Sequence, residues 1–181
     1  MYTKMKQLPW AGFVITAITV IHMSGCTSDP DRIKEVAAIE KVLDNNTVWF
    51  KDKDFDLLFS TYTHGPDLFM YQQDTGSTIS GFDEFLKYSE GWKNPDIKYA
   101  GHKFYDLRVT ISEAGDAAWF SCKIEDCWQR MDNPVKCLTS RYTGVLEKRE
   151  GKWLIVQQHF SLAADEIAPD WAARTVHAPA N

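Results

Sequence analysis

The sequence predicts an α+β domain with helices first and an antiparallel sheet after. Three observations predict it. Apolar residues recur at helical spacing from Ile33 to Phe50. From Tyr99 to Ile111 the pattern switches to period two. Near the C-terminus two strand-like runs, 141–148 and 152–161, flank a short turn at Arg149-Glu150-Gly151, which reads as an antiparallel hairpin.

The first helix is capped by Asp29 or Asp31, tolerates Pro30 in its first turn and runs to about Lys51. A shorter helix follows Asp54, with Phe55, Leu58, Phe59 and Tyr62 on one side, and His64-Gly65-Pro66 stops it. A strand covers about Leu68 to Gln72, followed by a turn at Asp74-Thr75-Gly76. The third helix covers about Phe82 to Glu90 and ends before Asn94-Pro95, because a residue preceding proline is driven out of the helical region. In the next strand Tyr105, Leu107, Val109 and Ile111 point one way. Phe104, Asp106, Arg108 and Thr110 point the other, and His102 falls with this polar set. Strands at 117–130, 137–148 and 152–162 complete the sheet.

Lys4 and Lys6 precede an apolar run from Leu8 to Ile21, and Met23-Ser24-Gly25-Cys26 follows. A basic start, a short apolar run and small residues at a cut site make a secretory signal. The run falls short of the roughly 20 residues that span a bilayer. Cys directly after Ser-Gly resembles a bacterial lipobox, which implies cleavage before Cys26 and a lipid on its thiol. The organisation that follows is a signal peptide at 1–25, a tether at 26–30, a domain at 31–163 and an Ala/Pro-rich tail at 164–181. The expected location is the cell envelope, lipid-anchored and periplasm-facing, with Thr27 after the cysteine favouring the outer membrane.

Twenty Lys and Arg against 25 Asp and Glu give a net charge of −5. That balance argues against binding nucleic acid through a charged surface. The residues remaining after cleavage suit one core. Cys122, Cys127 and Cys137 remain, and an exported setting permits disulfides. With a three-residue loop at 131–133, Cys127 and Cys137 oppose one another and can bond, leaving Cys122 free and buried. With a two- or four-residue loop they fall on opposite faces. No Cys/His set has zinc-ligand spacing, so neither metal nor cofactor is expected.

In the closing hairpin, a turn centred on Glu150 places Arg141 opposite His159, Thr143 opposite Gln157, Val145 opposite Ile155 and Glu147 opposite Trp153. One face then carries apolar residues near the turn and an Arg141/His159 cluster at the far end. An imidazole beside a fixed cation suits proton abstraction next to a carbonyl. These two residues are the expected catalytic and ligand-binding pair, with Tyr71, Tyr105, Trp49 and Trp92 as aromatic walls. The alternative is an ion pair of Arg141 with Glu125 or Asp126. Apolar alternation at Ala118, Phe120, Cys122 and Ile124 turns Asp126 inward, whereas the Cys127–Cys137 register favours Glu125.

The pattern Arg-x-Thr-x-Val, then Gly-x-Trp-x-Ile-Val-x-x-His-x-Ser, resembles the closing hairpin of SnoaL-like domains in the nuclear transport factor 2-like (ketosteroid isomerase/polyketide cyclase-like) superfamily. Asp54-Phe55-Asp56-Leu57-Leu58, Asp67-Leu68-Phe69-Met70-Tyr71 and Ser80-Gly81-Phe82-Asp83-Glu84-Phe85 follow the same order. The resemblance implies three helices packed in a strongly curved sheet, cone-shaped around a central pocket. It implies a small-molecule ligand and, if the protein is an enzyme, a cofactor-free isomerase, cyclase or dehydratase. It also implies a homodimer formed through the outer sheet face, with Phe104/Arg108 or Trp119/Lys123 at the surface. A non-catalytic association module is the alternative role, since one fold hosts many functions.

Overall fold

The computed structural model describes residues 30–73 and 78–162. The signal, Cys26, the turn at Asp74-Thr75-Gly76 and the tail lie outside them. Helix α1 (Pro30–Val48) starts with proline in its first turn, where the missing N–H costs nothing. It buries Ile39, Leu43 and Asn46. Ile33, which shares their spacing, is exposed because the first turns run beyond the sheet core. There Arg32 donates to the carbonyls of Ile111 (3.0 Å) and Ser112 (2.8 Å) instead.

A 3-10 turn at Trp49–Lys51 leads to α2 (Phe55–Phe59). Asp54 caps α2 by accepting from the Leu57 N–H at 2.9 Å. Strands β1 (Phe69–Tyr71) and β2 (Thr78–Ser80) form a short hairpin. Helix α3 (Phe82–Ser89) follows, with Gly81 at its N-cap at φ +88°, a conformation that favours glycine. Glu84 reaches back to accept from the Ser80 N–H (2.8 Å). A second 3-10 turn, Glu90–Lys93, carries Trp92.

Long strands β3 (Ile97–Ile111), β4 (Ala117–Arg130), β5 (Lys136–Arg149) and β6 (Lys152–Ser161) form the body of the sheet. The strand order is β2-β1-β6-β5-β4-β3. All neighbours are antiparallel except β1 and β6, which run parallel. The sheet is therefore mixed at that edge. The helices pack on its inner face, as expected for an α+β domain, and the curved sheet stays open. Even-numbered residues of β4 and β5 point inward: Ala118, Phe120, Ile124, Tyr142 and Leu146 are all buried.

The β5–β6 turn is a two-residue one. Arg149 opposes Lys152, and Glu150 and Gly151 both have positive φ (+52° and +79°), as a type I′ hairpin requires. The ladder then slips between Leu146↔Ile155 and Val145↔Gln157, with Val156 as the extra residue. Strand β3 slips twice, between Tyr99 and Gly101 and between Tyr105 and Arg108. These three irregularities decide which side chains meet inside.

Candidate functional site

The inner face of the sheet and the helices enclose a cavity of about 380 Å³. Trp49, Phe50, Tyr88, Trp92, Trp128 and Phe160 form much of its wall. Its polar residues include Asn46, Tyr62, Tyr99, Asp126 and Gln158. The 3-10 turns supply Trp49 and Trp92, whose rings lie 5.6 Å apart. Strand β4 supplies Asp126 and Trp128, two residues apart on the inward face.

Asp126 has no hydrogen-bond or ion-pair partner among the described residues. Withdrawal from water pushes its carboxyl up to about 6. Opposite it on β3 stands His102. The His102 ring contacts two groups: Nδ1 lies 2.7 Å from the Tyr99 hydroxyl and Nε2 lies 3.3 Å from Asp44 Oδ1 on α1. In the neutral ring, a carboxylate beside Nε2 keeps the proton there, so Nδ1 accepts the Tyr99 hydrogen. Burial raises the Tyr99 phenol, and the charges of Asp126 and Asp44 raise it further.

Behind this row the buried hydroxyls are tied to one another. Tyr62 donates to Gln158 Oε1 (3.0 Å), and Tyr142 Oη lies 3.1 Å from the same oxygen and 3.2 Å from Asn46 Oδ1. Asn46 donates onward to Thr61 Oγ1 (2.9 Å). This belt is complete, so it holds the cavity floor rigid rather than offering itself to a ligand. The buried Cys122 thiol is pushed up to about 12 by burial, which makes it a poor nucleophile.

The structure places the sequence-derived candidates differently. Arg141 is exposed, opposite Ser161 on one side and Lys123 on the other. His159 lies opposite Thr143 and beside Tyr71, ring to ring at 5.7 Å. Both residues sit on the outer face, away from the cavity. Two register changes are the reason: the two-residue turn pairs Arg149 with Lys152 and so turns Arg141 outward on β5, and the extra residue Val156 acts on β6. Before it, Trp153 and Ile155 point inward; after it, Gln158 and Phe160 do. His159 is thereby turned out, and the expected pairing with Arg141 is not made. Tyr71 is 48% exposed on the same outer side. Tyr105 is also outside, opposite Lys123, because β3 slips after it. Phe104, expected on the outer surface, instead faces inward opposite Ile124. Trp49 and Trp92 stand in the cavity wall.

Cys127 and Cys137 oppose one another directly and are bonded. The same register puts Asp126 inward and Glu125 outward, so disulfide and apolar alternation agree without a bulge, and Arg141 faces neither acid. The Tyr99–His102–Asp44 row escaped the sequence reading because simple alternation put His102 outside. One signal was present: Gly101 within a strand marks a bulge, and here it takes φ +148°.

Among the described residues no group of three or more His, Cys, Asp or Glu is placed to hold a metal. No described helix is long and apolar enough to cross a membrane.

The family model described as a SnoaL-like domain matches residues 39–165. A search of the curated proteins finds no match. Among solved structures, a ketosteroid isomerase-like protein from Erwinia carotovora atroseptica is similar at 17% identity and TM-score 0.56, covering 71% of this chain and 95% of that one. A type 2 hexachlorocyclohexane dehydrochlorinase is similar at 19% identity and TM-score 0.59, covering 74% and 88%. An NTF-2 like protein of unknown function from Shewanella oneidensis MR-1 is similar at 19% identity and TM-score 0.53, covering 70% and 98%. At such identities the likeness is one of fold. With the matched segment running from the middle of α1 through the whole long-stranded sheet, the chain belongs to the SnoaL-like domain family.

Proposed function

We propose that the chain binds a small, largely aromatic organic molecule in the cavity, and that Asp126 takes a proton from what is bound there. One observation carries this reading: a carboxyl without a partner among the described residues, withdrawn from water, opens into a cavity walled by indole and phenyl rings. A desolvated carboxylate titrating near 6 is a stronger base than one in water, yet is still ionised at neutral pH. The ketosteroid isomerase-like protein and the dehydrochlorinase of like fold are consistent with a chemically active pocket.

The reading is tested with 5-nitrobenzisoxazole, a flat aromatic probe. A base removes the C3 proton, the ring N–O bond breaks and a coloured cyanophenolate forms. The protein should open it faster than buffer does, with a rate that rises as pH passes about 6, since the carboxylate is the active form. Asp126→Asn should reduce the rate by about 100-fold or more. Arg141→Ala and His159→Ala should leave it within about twofold, given their place on the outer face. A rate that survives Asp126→Asn and dies with His159→Ala would place the site on the wrong side of the sheet.

We infer in addition that Cys26 carries lipid and tethers the domain to the cell envelope, facing the periplasm. The order of basic start, apolar run and Ser-Gly-Cys supports this. A palmitate analogue fed to expressing cells should label the wild type and leave Cys26→Ser unlabelled. Label retained by Cys26→Ser would remove the anchor.

A homodimer through the outer sheet face, the association reading, is favoured by Trp119 and Tyr71, which are 51% and 48% exposed there. Sedimentation should show a dimer that Trp119→Glu weakens. A monomer at all concentrations would exclude it.

A further inference from the structure

The charge of the described cavity lining is one-sided, and this bears on what fits. This inference rests on the reading of the cavity as a ligand site. Among the described residues, Asp126 is the sole acid in the lining, and none of those lining residues is Lys, Arg or His. With the His102 ring neutral and its proton on Nε2 beside Asp44, the Tyr99 hydrogen goes to His102 Nδ1 and Tyr99 Oη is left as an acceptor. The adjacent Tyr62 hydroxyl is committed to Gln158.

A carboxylate or phosphate on the ligand would meet Asp126 at short range in a poorly screened space. A carbonyl oxygen at that end would face two acceptors. A protonated amine reverses both signs: it brings three donors and a positive charge, and surrounding ring faces attract a cation. The protein already holds one ammonium in this manner at the wall. Lys53 Nζ lies 3.4 Å from the centre of the Phe50 ring and donates to the Trp92 carbonyl at 2.9 Å. That ammonium is thus engaged and is not among the groups lining the cavity.

We propose that the cavity selects an organic cation, a small amine with an aromatic or apolar body, whose ammonium docks between the Asp126 carboxylate and Tyr99 Oη. The body then lies against Trp49, Trp92 and Trp128. Such a ligand uses the same carboxylate as the proton-transfer probe and competes with it.

The test is calorimetric titration of the full folded domain at about pH 7.5 with three probes that share a 2-phenylethyl body: 2-phenylethylamine, 2-phenylethanol and 3-phenylpropionate. The amine should bind about tenfold tighter than the alcohol, and the acid should not bind measurably. Asp126→Asn should cost the amine about tenfold and leave the alcohol within about threefold. The amine should also inhibit 5-nitrobenzisoxazole opening competitively. Equal binding of amine and alcohol, or tighter binding of the acid, overturns the charge preference while the ligand cavity itself stands. No binding of any probe, together with no opening of 5-nitrobenzisoxazole, overturns both. Asp126→Asn is expected to fold at least as stably as the wild type, so loss of amine binding in it reports the site and not unfolding.

Discussion

Asp126→Asn should make the protein more stable above about pH 6 while removing its reactivity. The folded carboxyl titrates near 6 because burial disfavours its charge. In the unfolded chain an Asp titrates near about 3.9. Between these values the native state holds a proton that the unfolded state has released, so stability falls as pH rises through this window. Above about 6 the whole penalty is present. Two pH units correspond to about 2.7 kcal/mol. Water reaching the carboxyl through the cavity mouth reduces the expected gain to about 1–2 kcal/mol. Asn keeps the shape and removes the charge. The groups that share this space are His102 and Tyr99 on β3, Tyr142 on β5, Asp44 on α1 and Cys122 on β4. None of them supplies Asp126 with a compensating hydrogen bond. Urea unfolding at about pH 8 and about pH 4 checks the claim. The variant should lead clearly at the higher pH and lose its lead at the lower one. A variant less stable at both would mean that Asp126 has a partner in the fold.

Gly144→Ala should cost about 3 kcal/mol. Gly144 sits on the inward face of β5 between Tyr142 and Leu146, just before the ladder slips. A Cβ built there would lie 2.5 Å from the Gln157 carbonyl oxygen and 2.6 Å from Phe120 Cε1. The carbonyl belongs to β6 and cannot swing aside without breaking the ladder. The Phe120 ring packs edge-on against Tyr142, with centroids 4.7 Å apart, so it has little room to retreat. Gly91→Ala is the control, because a Cβ there meets nothing within 4 Å. Urea denaturation of the two variants should show a large loss for the first and almost none for the second. A Gly144→Ala protein as stable as the wild type would show that the two strands are not held at this approach.

The elements were legible because their periodicities are clean. The expected strands at 117–130, 137–148 and 152–162 differ from β4, β5 and β6 by a residue or so at their ends. The alternation through Ala118, Phe120, Cys122 and Ile124 continues unbroken to Asp126 and favours its inward direction, while the expected Cys127–Cys137 register favours Glu125 and leaves the choice open. The site built around Asp126 was not legible, because period-two reasoning fails at every inserted residue. Gly101 hinted at the first slip in β3, and the strand hid the second within Tyr105-Asp106-Leu107-Arg108, where Asp106 takes φ +53°. Val156 gave no signal at all: Leu154-Ile155-Val156 reads as an ordinary buried run. That extra residue moved His159 from the expected interior to the outer face, and the two-residue turn, one residue shorter than expected, did the same to Arg141.

The state of the Asp126 carboxyl in the free protein is the most direct test. With ¹³C-labelled aspartate, its Cγ resonance, identified by its absence in Asp126→Asn, can be followed by NMR from about pH 3 to about pH 9. A midpoint near 6 is the result expected for an unpaired, desolvated group facing the cavity. A midpoint near the ordinary value of about 3.9 would show a carboxyl bathed in water or held by a partner, and would contradict its role as the base.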